Sequence, residues 1–435
     1  MTASKNQNAI YIIGGLFFIF GFITWLNSTL IPFLKLVCEL KNYVQAFFVT
    51  SAFYISYLVF ATPTYYVLRL TGFKRGMALG LVVLGLGSLL FIPAARERSF
   101  PLFLVALFVQ GGGLSLLQTA SNPYVSILGP LDSAAKRISI MGVCNKGGGI
   151  LSPLILGTLL LQGTDAIQQR VNTTVDAATR AQLLGELSSR VVTPYLVMGI
   201  TLIALGFLLL RSGLPEIEME QPAVGELSLP ADDKTTIFDY PQLWLGVLCL
   251  FLYVGVEVLA GDAISVYAQS EGMTIARTKY FTSFTLLSML AGYITGIICI
   301  PKIFSQQTAL RVSALLGLVF SALAFFTTGI TAITFIALLG LANALMWPAI
   351  WPLAIEGLGR HIKTGAALLV MGIAGGAVIP LIYATLKDHP AVGNKLAFFY
   401  CMFPCYIYIF YYAAWGHKRR KALPVTPDIG SLSKG

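Results

Sequence analysis

Gly148-Gly-Ile-Leu-Ser-Pro153-Leu-Ile and Gly375-Gly-Ala-Val-Ile-Pro380-Leu-Ile carry one pattern, Gly-Gly-x-x-x-Pro-Leu-Ile, at a spacing of 227 residues. Each copy lies in an apolar run, 138–162 and 365–386. Runs of this length cross a bilayer core about 30 Å thick, which takes roughly 20 residues of helix. A repeat at about half the chain length marks a membrane fold built from two related halves. A fainter match supports the same plan: Gly21 falls on Gly255 and Phe17 on Phe251, a register that sets Ser28 opposite Asp262.

Outward from the repeat, further apolar runs cover 10–34, 43–68, 76–95, 101–128, 193–212, 241–269, 279–301, 308–328, 332–355 and 395–416. With the two that hold the repeat, these make twelve spans. In lipid the backbone must satisfy its own hydrogen bonds, and apolar runs of this length do so only as helices. The expected fold is an all-α membrane protein with two six-helix bundles, 1–212 and 241–416. A polar linker at 213–240 and a basic tail at 417–435 complete the chain. The linker is acidic, with Glu216, Glu218, Glu220, Glu226, Asp232 and Asp233.

Composition agrees with this reading. Of 435 residues, 56% are hydrophobic and 11% charged, against about 25% charged in soluble proteins. The net charge of +10 reads as the basic bias of cytoplasmic loops rather than as a nucleic-acid surface. With twelve spans, both termini share a side with the short basic segments Arg69, Lys74 and Arg75; Lys136 and Arg137; Arg360 and Lys363; and the tail from His417. The positive-inside rule puts that side in the cytoplasm. The first apolar run is too long for a signal-peptide core and lacks a cleavage site, so it is read as span 1. The expected location is a bacterial inner membrane.

Enzyme chemistry finds no support. The six cysteines form no CxxC pair, the three histidines sit at the ends of apolar runs, and no phosphate-binding GxxxxGK[ST] loop is present. No catalytic set, metal site or cofactor is expected.

Ionisable residues inside spans are the informative ones, because a charge at mid-bilayer costs roughly 2.5–3.5 kcal/mol on insertion scales and normally lines a cavity or pairs with another. Three qualify as coupling or gating groups: Lys146 on span 5, and Glu257 and Asp262 on span 7. Lys146 lies beside three glycines and seven residues before Pro153. That pattern fits either a local helix break or close helix packing. Glu257 and Asp262 are five residues apart, about 140° around a regular helix, so they face different ways unless Gly261 bends the backbone. Candidate solute contacts are Gln118 and Asn122 on span 4, Trp25 and Asn27 on span 1, Asn145 on span 5, and Asn343 and Trp347 on span 10. Amides bridge the hydroxyls of a sugar and aromatic rings stack on its C–H face. A small polar solute is therefore expected to move through the chain.

Three stretches carry a resemblance. Gly14-Gly-Leu-Phe-Phe-Ile-Phe-Gly-Phe-Ile-Thr-Trp-Leu-Asn27-Ser resembles span 1 of the fucose–proton symporter family of major facilitator transporters. Gln118-Thr-Ala-Ser-Asn-Pro-Tyr-Val-Ser-Ile-Leu-Gly-Pro130 resembles its span 4 signature, and Phe251-Leu-Tyr-Val-Gly-Val-Glu257 its span 7. The resemblance implies the major facilitator fold, alternating access and import of a monosaccharide of the fucose, glucose or galactose type. It carries Gln118 and Asn145 over as pocket residues. It also implies a proton or sodium ion as coupling ion, a sugar and the lipid bilayer as partners, and a monomer with no nucleic acid. The family's fucose permease has one acid directly after the motif Asn of span 1 and another in the span 4 motif, where this chain has Ser28 and Gln118. Gln118 matches the glucose/galactose branch. The helix register then suggests that the coupling carboxylate has moved to Asp262, and leaves open whether Lys146 pairs with Asp262 or with Glu257. A uniporter and an exporter of another small polar metabolite are the competing readings.

Overall fold

A computed structural model of the chain describes residues 3–127, 134–214, 236–300, 303, 305–358 and 361–419. Most of the linker, the end of the tail and Arg360 lie outside these. The described residues are helical, with no strand.

Among the described residues, eleven continuous apolar stretches are long enough to span a membrane, and one of them does so twice. The helix Tyr43–Leu89 has 47 residues, about 70 Å at 1.5 Å per residue, more than twice the thickness of a bilayer core. It is broken at Gly72, with φ 77° and ψ 176°, a conformation open to glycine because it has no Cβ. The connection expected over 70–75 is therefore this sharp reversal. Spans 2 and 3 lie on either side of it, and the fold has twelve spans.

Spans 1 and 7 are both interrupted. Span 1 runs Ala3–Thr24 and then Asn27–Val37; span 7 runs Pro241–Asp262 and then Ile264–Ser270. In the register in which Ser28 opposes Asp262, the break at 25–26 falls opposite 259–260, three to four residues before the break at Ala263. Span 5 is a single helix, Ala134–Leu161, through all three glycines and Pro153. Of the two outcomes open for that segment, close packing is the one realised. A Cβ on Gly148 would land on the carbonyl oxygen of Phe18 in span 1, and one on Gly375 on the carbonyl oxygen of Phe251 in span 7. The repeat thus marks the same backbone-to-backbone crossing in each half: span 5 on span 1, and span 11 on span 7.

This contact gives a direct test. Gly148→Leu pushes side-chain atoms into a backbone carbonyl with no flexible neighbour to yield. It is expected to destabilise the chain by about 3 kcal/mol or more. An unchanged melting temperature in detergent would refute the packing argument.

The halves meet along two seams, span 2 against span 11 and span 5 against span 8. The loop 163–192 forms two helices, Thr164–Thr173 and Ala177–Ser189. Val171, Leu183 and Leu184 bury their apolar face against Leu36 and Ile167. Arg180 and Arg98 both pair with Glu39.

Candidate functional site

A cavity of about 160 Å³ lies between the halves, roughly ten times the space that one water needs. The first half contributes Trp25, Tyr54, Tyr57, Gln118, Asn122, Asn145 and Lys146; the second contributes Tyr253, Glu257, Tyr293 and Trp347. Ile138, near the start of span 5, also lines it and is 40% exposed, so the cavity leads toward the end that holds the termini.

The opposite end is closed. Thr158 and Tyr280 hydroxyls lie 3.0 Å apart, Ser283 donates to the Ile150 carbonyl at 2.9 Å, and Ser51 donates to the Ala377 carbonyl at 2.8 Å. Each of these contacts joins the two halves on the far side of the cavity.

Two lining residues are charged, and they neutralise each other. Lys146 Nζ lies 2.8 Å from Glu257 Oε1 and 5.1 Å from the centroid of the Trp25 ring. The ion pair bridges the halves. Trp25 is wedged between them: a Cβ on Gly261 in span 7 would strike its six-membered ring, and one on Gly149 in span 5 its five-membered ring. Its indole Nε1 is buried without a hydrogen-bond partner among the described residues. Asn145 donates from Nδ2 to the Phe17 carbonyl at 3.3 Å, which fixes the amide at the cavity wall. Trp347 stacks on Trp351 with ring centroids 5.6 Å apart and lies 6.4 Å from the Tyr253 ring.

Of the sequence-predicted residues, the structure brings Trp25, Gln118, Asn122, Asn145, Lys146, Glu257 and Trp347 to one cavity. Asn27, Asn343 and Asp262 do not line it. Asn343 is fully buried and accepts from the Tyr406 hydroxyl at 2.9 Å. Asn27 is 1% exposed, and its amide has no hydrogen-bond partner among the described residues.

Of the two acids left open as partners of Lys146, the structure pairs it with Glu257 and not with Asp262. Span 7 stays helical through Asp262, so Gly261 does not remove the 140° offset between the two acids. Glu257 therefore faces the cavity while Asp262 faces span 2. There Asp262 Oδ2 accepts from the Thr50 hydroxyl at 3.1 Å, and Oδ1 has no partner.

Sequence reasoning missed Tyr54, Tyr57 and Tyr293 as lining residues, and Thr50 as the partner of Asp262. Tyr54 and Tyr57 stand three apart, with stacked rings 6.2 Å between centroids. That spacing of hydroxyl-bearing rings inside an apolar run was the available signal.

The family model described as Major Facilitator Superfamily matches residues 13–381. The chain belongs to the major facilitator superfamily. Among its relatives in the superfamily, a glucose/galactose transporter of Brucella abortus is 33% identical over 426 residues, covering 96% of each chain. The L-fucose-proton symporter of Escherichia coli is 27% identical, over 89% of this chain and 90% of that one. A crystal structure of the major facilitator transporter FucP in the outward conformation superimposes with a TM-score of 0.72 at 25% identity, covering 95% of this chain and 99% of that one. The twelve-span, two-bundle expectation is borne out.

Proposed function

We propose that this chain imports a neutral monosaccharide of the glucose, galactose or fucose type by alternating access, driven by a cation gradient. The observation that carries the reading is the charge balance of the cavity. Its two charges cancel at 2.8 Å, and the rest of its polar lining is amide and hydroxyl. A charged solute would compete for one member of the pair and leave the other without a counter-charge in a low-dielectric site, at a cost of several kcal/mol. A neutral polyol exchanges hydrogen bonds with Gln118, Asn122 and Asn145 at no such cost. Its apolar C–H face suits Trp25 or Trp347.

The full-length likeness to sugar transporters supports the same substrate class. The basic loops support a cytoplasmic placement of both termini in a bacterial inner membrane. The conformation described, closed at the far end, then faces inward. Lys146 and Glu257 form a crossbar between the halves that must part as they rock. Asp262 is the candidate carrier of the coupling ion.

The test is counterflow in proteoliposomes, with labelled glucose, galactose and fucose tried in turn. Exchange of at least one hexose is expected, competed by the unlabelled sugar. Export of lipophilic cations with no exchange of any neutral sugar would overturn the reading.

A further inference from the structure

Two helices that open at the far end of the molecule receive a cap from the opposite half. The spanning helix of span 8 is Phe281–Cys299; ahead of it stands a four-residue helical turn, Ile275–Thr278, and the residue before that turn, Thr274, makes no side-chain cap of its own. The missing acceptor comes from Asp165, in the first turn of the hairpin that follows span 5. Its Oδ1 accepts from the Ile275 N–H and its Oδ2 from the Ala276 N–H, both at 3.0 Å. Span 2 begins at Tyr43. Its own cap, Asn42, accepts from the Gln45 N–H at 2.9 Å and leaves the Tyr43 N–H. That group donates to Asp388 Oδ2, just past span 11, at 2.8 Å. Lys387 lies 3.8 Å from the centroid of the Tyr43 ring.

The two contacts are counterparts under the pseudo-two-fold, since span 5 corresponds to span 11 and span 2 to span 8. In each, a carboxylate at the far end of one half satisfies first-turn N–H groups that a helix cannot satisfy itself. At span 2 the negative charge of Asp388 also sits at the positive end of a helix dipole. The hairpin that carries Asp165 is anchored to its own half by Arg180–Glu39 and by Ser188 donating to the Ala95 carbonyl at 2.7 Å. It therefore moves with that half and cannot follow span 8 away.

We propose that Asp165 and Asp388 are the far-end gating residues of this transporter, reciprocal helix caps that hold the inward-facing state and are released together when the far end opens. The proposal rests on the alternating-access reading. Removing a helix cap changes a conformational equilibrium by about five- to tenfold. Asp165→Ala and Asp388→Ala should each raise the ratio of far-end-open to far-end-closed molecules by that factor, and the double variant by the product.

Spin labels on an otherwise cysteine-free chain read this ratio, one pair at Val175 and Ala391 across the far end and another at Leu70 and Gln307 across the termini end. The expected result is a growing long-distance population for the first pair and a matching short one for the second. Loss of melting temperature with unmoved distances would mean a merely structural role and overturn the proposal, as would a distribution identical to the parent's. The distances are measured without sugar, so failed counterflow would sink the substrate reading and leave this one standing.

Discussion

Glu257→Gln is expected to lower the rate of sugar exchange by about a hundredfold, and adding Lys146→Gln should return most of the loss. The single substitution keeps the shape of the side chain and removes its charge. Lys146 then remains as an ammonium with 8% of its side chain exposed and no other ion-pair partner among the described residues. Removing one member of a buried pair costs about 3–5 kcal/mol, because the other charge stays behind uncompensated. The ring of Trp25 offers the ammonium a partial substitute, worth roughly 0.5–2 kcal/mol, too little to cancel the loss. Taking out both charges removes the uncompensated group, so the double variant should exchange sugar within about tenfold of the parent. Initial rates of counterflow for the parent, both singles and the double complete the cycle. A double variant as impaired as Glu257→Gln alone would mean that Glu257 acts directly on the solute, and the crossbar role would fall.

The same pair shows how far the sequence could be read. Lipid imposes long apolar runs and internal hydrogen bonding, so the spans stood out, and the Gly-Gly-x-x-x-Pro repeat pointed to a crossing that the backbone contacts at Gly148 and Gly375 explain. That Lys146, Glu257 and Asp262 are exceptional also followed from cost alone. Which acid meets the lysine did not. It turns on helix phase, and therefore on whether Gly261 bends span 7, and a glycine is compatible with both a straight and a bent helix. Trp25 fills the space beside Gly261, so this glycine makes room for a ring and not for a kink. Tyr54 and Tyr57 were passed over for a related reason: a tyrosine in an apolar run reads as packing until the facing half is placed. Asp165 was hidden by distance, since the N–H groups it caps lie 110 and 111 residues further along the chain. What is local or periodic in this protein is visible in its sequence; what joins the halves is mostly not.

Asp262 is the residue through which the coupling ion is expected to act, and Asp262→Asn should abolish accumulation while sparing exchange. Asp262 is 1% exposed; among the described residues its only side-chain hydrogen bond comes from the Thr50 hydroxyl, and Oδ1 has no partner. No ion pair among the described residues includes it, Lys146 being held by Glu257. A carboxylate so enclosed without a cationic neighbour is too costly to leave charged. It must take up a proton or a small metal cation before the halves can close on it. Thr50 belongs to span 2 and Asp262 to span 7, so the site is assembled from both halves in this conformation and comes apart when the far end opens. Binding of the ion is thereby tied to the direction in which the cavity faces. Asparagine keeps the hydrogen bond from Thr50 and cannot load an ion. Sugar should then equilibrate across the membrane, with the accumulation ratio falling to about one, while counterflow stays within about threefold of the parent. Replacing sodium by choline at fixed pH identifies the ion in the parent chain: accumulation that persists assigns a proton, and accumulation that stops assigns sodium. Full accumulation by Asp262→Asn would move the coupling site elsewhere, and Glu257, the other acid of span 7, would be the residue to test next.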